Sequence, residues 1–203
     1  IKNKLEIDSL YMQINNDFIN HITNHNYEHL YGSEYIINYY QLNENIVKAF
    51  NHPFAFCRIN HSISPLIYQS VNDLIIKNKE YTLLTSGRDV NIISQLYHIF
   101  YKNTIIFTHC SEVCKDISFN SYTTEINILQ NEKKDIPKSI IENSENESIF
   151  ILTSSRKGIC QDFIDALNNT NNIKQVIYMA CSHKTVVRDC IKLLSNFTIN
   201  DYK

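Results

Sequence analysis

Residues 81–100 read YTLLTSGRDVNIISQLYHIF. Four residues, Tyr81 to Leu84, suit a short strand, the next few form a loop with one glycine, and Val90 to Phe100 suit a helix. The alternation recurs along the chain. Further helices are predicted at 66–75, 111–119, 160–167 and 184–194, and further strands at 104–108, 125–129, 149–153 and 174–179. Short apolar strands between helices are typical of βαβ units, so we predict a doubly wound, Rossmann-like α/β fold with a mostly parallel sheet.

Two other parts of the chain have different patterns. Residues 1–50 are predicted to form an N-terminal extension, with an amphipathic helix at 5–22 and one or two Tyr- and Ile-rich strands at 34–50. Residues 51–203 are predicted to form the α/β domain. Within it, the polar segment 130–147 is expected to be an exposed loop with room for a short helix.

Composition limits the function classes. The chain has 203 residues, 43% hydrophobic and 20% charged, which indicates a folded domain. Because 19 basic and 21 acidic side chains give a net charge of -2, any RNA contact needs a local basic patch. Six cysteines without a CxxC pair indicate reduced, mostly buried thiols and a cytoplasmic location. No apolar run approaches the ~18 residues that span a bilayer, so no membrane partner is expected.

The loop at Thr85 to Asn91 follows the first strand of the α/β region, where doubly wound proteins usually admit a cofactor. It contains one glycine, Gly87, and then Arg88 and Asp89, whose side chains stand where a cofactor would need close backbone approach. The spacing therefore does not favour a dinucleotide or nucleoside site.

Several motifs, in order and at matching spacing, resemble the RNA uridine-5-methyltransferase family, the tRNA and rRNA enzymes that use S-adenosylmethionine and a cysteine nucleophile. The resemblance covers about residues 28–200 and rests on segments 30–36, 56–60, 82–91, 153–158 (TSSRKG), 180–183 (ACSH) and 187–189 (VRD). It implies a methyltransferase-like domain over 51–203 and assigns the nucleophile's position to Cys181. In that family the thiolate adds to C6 of uracil, and a Glu beyond the last helix acts as base.

Four positions depart from the family's cofactor site. Where the family has a Gln, an aromatic residue, an acidic residue and an Asp, this chain has Arg58, Thr85, Thr108 or His109, and Thr153. A carboxylate is what anchors ribose hydroxyls in such sites. We therefore expect no bound cofactor, and Cys181 is interpreted either as a vestigial nucleophile or as a small residue buried by packing at a strand end.

Basic residues and possible metal ligands complete the candidates. If the family's fold holds, Arg156, Lys157, Lys184 and Arg188 gather at one rim as an RNA-binding edge; the alternative is scattered, solvated charge. The triad His21, His25 and His29, spaced at i, i+4 and i+8, and the pair Cys110 and Cys114 have ligand-like spacing, but neither set is complete and no metal site is predicted.

These observations favour a catalytically inactive homologue of RNA uridine-5-methyltransferases that binds RNA or a ribonucleoprotein such as the ribosome or tRNA complexes. One alternative is an active S-adenosylmethionine-dependent tRNA or rRNA methyltransferase with a divergent cofactor pocket. The other is a non-catalytic subunit with a protein partner, which the net charge of -2 fits equally well.

Overall fold

The computed structural model describes residues 7–13, 27–53, 55, 60, 62–120 and 126–201. The N-terminal part contains two antiparallel strand pairs, β1 (Ser9–Gln13) with β2 (Tyr27–Gly32) and β3 (Ile36–Leu42) with β4 (Asn45–Asn51). Asn43 has a positive φ of 54° in the tight turn between β3 and β4, a conformation that Asn tolerates. The strands predicted within 34–50 are confirmed.

The helix predicted at 5–22 is wrong over Ser9–Gln13, which is strand β1; residues 14–26 lie outside the described part of the chain. Contacts with residues distant in sequence, and not local helix preference, determine the structure of Ser9–Gln13. The Ser9 hydroxyl donates to the Ser33 carbonyl at 2.6 Å and the Tyr11 hydroxyl to the Glu34 carbonyl at 2.7 Å, in addition to the ladder with β2. An Asn-rich segment has too weak a helix preference to oppose such contacts.

The remaining elements form an α/β domain in chain order. They are α1 (Ser64–Leu74), β5 (Thr82–Gly87), α2 (Val90–Tyr97), β6 (Asn103–Thr108), α3 (Ser111–Asn120), β7 (Ile126–Gln130), α4 (Ile136–Glu142), β8 (Ser148–Thr153), α5 (Gln161–Asn168), β9 (Ile173–Met179) and α6 (His183–Leu193). Within the described residues, the strands form a parallel sheet in the order β7-β6-β5-β8-β9. The predicted doubly wound, Rossmann-like fold is confirmed.

Both faces of the sheet are covered. Along β8, Ile149 and Ile151 belong to the apolar cluster that includes α1 and α2 residues, whereas Phe150 and Leu152 belong to the cluster that includes α4 and α5 residues. Each fully buried side chain of this kind contributes about 1.5–3 kcal/mol. This explains why the strands are nearly continuous apolar runs.

Helix α4 lies inside the segment that was expected to be an exposed loop. The short helix is present, but the segment is not wholly exposed, because Ile136 and Ile140 are buried against the sheet cluster. The polar residues around these two isoleucines obscured their pattern in the sequence. None of the helices in the described residues has the length and apolar character needed to cross a membrane.

Helix α3 attaches the N-terminal strands to the domain through buried polar side chains. Asn120 accepts from the Phe50 N–H at 2.7 Å and donates to the Phe50 carbonyl at 2.8 Å, and Asp116 accepts from the His52 N–H at 2.9 Å. Burial raises the pKa of Asp116 to about 7; the His52 hydrogen bond opposes this and nearby Glu112 adds to it. The folded protein therefore holds a proton on Asp116 more tightly than the unfolded chain does.

Asp116→Asn tests this burial cost. Because the folded-state pKa lies above the ordinary value of 3.8, wild-type stability should fall as pH rises from about 4 to about 7, by up to about 1.4 kcal/mol per unit of pKa difference. The Asn variant should lose this dependence. Its stability relative to wild type should therefore be higher at about pH 8 than at about pH 4, as measured by urea unfolding.

The matched control for that experiment is Asp162→Asn, because Asp162 is an exposed carboxylate on α5. This change should leave the fall in stability between about pH 4 and about pH 7 in place, because Asp116 is retained. Equal pH slopes for wild type and Asp116→Asn would contradict the assignment.

Candidate functional site

The strand order reverses between β5 and β8, which is where doubly wound sheets bind ligands, just beyond the carboxyl ends of the strands. At this point Gly87, the last residue of β5, lies opposite Thr153, the last residue of β8. The Thr153 hydroxyl accepts hydrogen bonds from the N–H groups of Arg88 at 2.6 Å and Asp89 at 3.2 Å. The first two backbone donors after the glycine thus have a side-chain partner inside the protein.

The backbone at Gly87 lies directly against β8. Gly87 has a φ of +116°, and a Cβ at this position would overlap the carbonyl oxygen and the hydroxyl of Thr153. Thr153 is itself buried, with 5% of its surface exposed. β5 and β8 are therefore in close contact at this point, although Gly87 itself is exposed to solvent.

The other positions that the family uses for its cofactor have no carboxylate of their own. Thr85 is fully buried, and its hydroxyl has no hydrogen-bond partner among the described residues. Thr108 is buried and accepts from the Cys110 N–H at 3.2 Å, whereas His109 is exposed. Arg58 lies outside the described residues.

Glu112 is the carboxylate closest in sequence to the end of β6, but it is buried. The Cys110 thiol donates to its Oε2 at 3.2 Å, and only 5% of Glu112 is exposed. Although much of His109 is exposed, partial desolvation of its ring, and then the positive charge of Lys133, lower its pKa, which favours the neutral form. Since the loop N–H groups are taken and no exposed carboxylate ends β6, these residues do not fit a nucleoside cofactor.

An open depression of about 480 Å³ lies at the ends of β6 and β7. It is lined by His109, Gln130, Asn131, Glu132 and Lys133. These side chains are polar or charged rather than apolar, unlike the lining of a typical small-molecule pocket. Gln130 to Lys133 begin the segment that was predicted to be an exposed loop, and their residue types give no signal of a site.

Cys181 lies in the loop between β9 and α6, at the same edge of the sheet, and it is exposed. The interpretation of Cys181 as a residue buried by packing is therefore wrong. Cys160 is also exposed, and Cys110, Cys114 and Cys190 are partly exposed, so the described thiols are less buried than expected. A strand's carboxyl end can leave a loop residue open to solvent even when the strand itself is buried.

Exposed basic side chains follow four of the five strands at this edge. They are Arg88 after β5, Lys133 after β7, Arg156 and Lys157 after β8, and Lys184 at the start of α6. Arg188 is also exposed, but its guanidinium contacts Asp189 and donates to the Lys157 carbonyl at 2.9 Å. We call the set of Arg88, Lys133, Arg156, Lys157 and Lys184 the basic edge.

Three of the acidic residues near the basic edge are buried. Asp89, Glu112 and Asp189 are 3%, 5% and 0% exposed. The exposed acids here are Glu132, which pairs with Lys134 at 2.8 Å, Asp135, and Asp162 in the first turn of α5. The surface at the carboxyl edge is therefore locally basic although the chain as a whole has a net charge of -2.

In the described part of the chain, no group of three or more His, Cys, Asp or Glu residues could hold a metal ion. His29 lies on strand β2 and not on a helix, so the helical spacing with His21 and His25 does not apply to it. His21 and His25 lie outside the described residues.

Comparison with solved structures finds the tRNA (uracil-54, C5)-methyltransferase of Pyrococcus abyssi, determined in complex with S-adenosyl-L-homocysteine, at a TM-score of 0.68 and 18% identity. The match covers 93% of this chain and 45% of that enzyme, so the chain spans less than half of its length. No protein-family model matches the sequence, and a search of curated proteins gives no match. The likeness establishes a methyltransferase-like fold.

Thr153→Val tests whether the Thr153 hydroxyl holds the loop after β5. Valine keeps the shape of threonine but leaves the N–H groups of Arg88 and Asp89 without their acceptor, which should cost about 1–3 kcal/mol in the free energy of unfolding. Thr153→Ser keeps the hydroxyl and should cost clearly less. Urea unfolding of the two variants measures the difference, and equal stabilities would show that the hydroxyl does not hold the loop.

Proposed function

We propose that this chain is a catalytically inactive relative of RNA uridine-5-methyltransferases that binds RNA, alone or in a ribonucleoprotein such as the ribosome. The observation that carries the proposal is the Thr153 hydroxyl, which accepts from the N–H groups of Arg88 and Asp89 at the switch point of the sheet. It occupies the donors on which a ligand at that crevice would depend.

The chemistry of the surrounding residues supports the loss of cofactor binding. Thr108 and His109 end β6 without a carboxylate, and the neighbouring Glu112 is engaged with the Cys110 thiol inside the protein. A ligand that took the N–H groups of Arg88 and Asp89 would have to break both hydrogen bonds to Thr153. Each unmet buried donor costs about 1–3 kcal/mol.

The basic edge supports RNA as the partner. Arg88, Lys133, Arg156, Lys157 and Lys184 come from three loops and the start of α6, and the parallel sheet brings these segments to one side. Lys and Arg contacts to phosphate are independent of sequence and supply most of the affinity of non-specific nucleic-acid binding. A patch of this kind can bind RNA without any remaining chemistry.

The exposed thiol of Cys181 favours one alternative, an active methyltransferase with a divergent cofactor pocket. Cysteine nucleophiles must reach their substrate, and Cys181 is open to solvent at the basic edge. The neutral side chains at Thr85, Thr108 and Thr153 weigh against it, because they leave the site without the groups that hold a nucleoside.

Isothermal titration of the protein with S-adenosylmethionine distinguishes the two functions. We expect no binding at cofactor concentrations up to about 1 mM, so that any Kd would be weaker than about millimolar. Binding at about micromolar concentration would contradict the proposal. In that case, methyl transfer to uridine in RNA that is abolished by Cys181→Ala would establish the active enzyme.

RNA binding is tested with a fluorescently labelled tRNA transcript at several salt concentrations. Affinity should fall steeply with salt, and the double variant Arg156→Gln and Lys157→Gln should lower the log–log slope by about 0.7–0.9 for each phosphate that the variant no longer neutralises. Lys79→Gln, which removes one positive charge, is the control for position, because Lys79 precedes β5 at the opposite edge of the sheet. No retention of RNA at low salt would favour the protein-partner alternative.

A further inference from the structure

The two basic residues after β8 stand at the tip of a tight turn. Ser155 and Gly158 form an isolated antiparallel bridge, with the Gly158 N–H donating to the Ser155 carbonyl at 3.0 Å. The Lys157 N–H donates to the Ser155 hydroxyl at 3.2 Å. Arg156 and Lys157 are thus the central residues of a closed, hydrogen-bonded turn, and both are exposed.

Helix α6 holds the backbone of both basic residues. The Thr185 hydroxyl donates to the Arg156 carbonyl at 3.0 Å, and the Arg188 Nη2 donates to the Lys157 carbonyl at 2.9 Å. Thr185 is itself buried, with 7% of its surface exposed. Two successive carbonyl groups are therefore bound to side chains one helical turn apart, which fixes the turn against the helix.

A buried carboxylate organises this attachment. Asp189 is fully buried and accepts from the Tyr178 hydroxyl at 2.7 Å, the Ile159 N–H at 3.1 Å and the Arg188 Nε at 2.7 Å. The Arg188 side chain is therefore held beside Asp189, with its Nη2 also on the Lys157 carbonyl. Charge-assisted hydrogen bonds of this kind are the strong ones.

The turn also fits against α6 without spare room. Gly158 has a φ of +79°, and a Cβ there would overlap Arg188, Asp189 and Thr185. The glycine thus permits both the left-handed backbone and the close approach of the turn to the helix.

We propose that Thr185, Arg188 and Asp189 are positioning residues that lock the Ser155–Gly158 turn and thereby present Arg156 and Lys157 to RNA phosphates. This inference rests on the proposed function and changes the role of Arg188, whose guanidinium serves the protein rather than a phosphate. A rigid turn binds more tightly than a mobile one because less conformational entropy is lost on binding.

Thr185→Val and Thr185→Ser form the matched pair for the test. Valine has the shape of threonine but cannot donate to the Arg156 carbonyl, whereas serine can. Limited digestion with trypsin reads the turn directly, because trypsin cleaves after Arg and Lys and cleavage requires the chain to open locally. We expect slow cleavage after Arg156 and Lys157 in wild type and Thr185→Ser, and about fivefold faster cleavage in Thr185→Val.

Binding of the labelled tRNA transcript gives the functional readout. Thr185→Val keeps every charge, so affinity should fall about two- to fivefold while the salt slope stays unchanged. Combined with Arg156→Gln and Lys157→Gln, the valine change should have no further effect, because it acts through those two side chains. Tyr178→Phe, which removes one donor to Asp189, should behave in the same way and replaces Thr185→Val if that variant does not fold.

The outcomes distinguish the proposed positioning of the turn from the proposed binding of RNA. Equal cleavage of wild type, Thr185→Val and Thr185→Ser overturns the positioning role, whatever the RNA result. Faster cleavage of Thr185→Val with no RNA binding by wild type leaves the rigid turn standing and overturns its function in RNA binding. An additive loss in the combined variant would show that Thr185 does not act through Arg156 and Lys157, and would also overturn the inference.

Discussion

Parallel pairing of β5 with β8 sets the geometry on which the candidate site depends. The register places Gly87 beside Thr153, at the one crevice where the strand order reverses. A threonine there has a hydroxyl that can satisfy two backbone donors, at Arg88 and Asp89. An acidic side chain would bring a charge that needs a partner or solvent. The threonine therefore satisfies both donors without adding a charge of its own.

At the carboxyl edge of the same sheet, three acidic side chains are buried and the basic side chains are exposed. The acids Asp89, Glu112 and Asp189 face inward, and Asp189 bonds the turn after β8. The basic edge faces solvent. This arrangement explains how a chain with a net charge of -2 can present a surface suited to phosphates. It also gives one buried carboxylate an indirect function, since Asp189 holds Arg188 and the turn that carries Arg156 and Lys157.

Sequence patterns predicted the α/β region well because buried parallel strands are continuous apolar runs. They failed where contacts distant in sequence decide the structure. Ser9–Gln13 pairs with β2 instead of forming a helix, and α4 buries two isoleucines within a polar segment. The exposure of Cys181 was also missed, since a cysteine at a strand end gives no signal that distinguishes a packed thiol from an open one.

The amino-acid sequence alone determined the order of strands and helices in the α/β region, the basic residues after β8, and the absence of acidic residues at Thr108, His109 and Thr153. Periodicity and residue type are local properties, so they can be read from one chain. Only the tertiary structure decided that Thr153 closes the loop of Arg88, 65 residues away, and that Arg188 holds the turn rather than standing free. Those contacts depend on strand register and on helix packing, which no local pattern encodes.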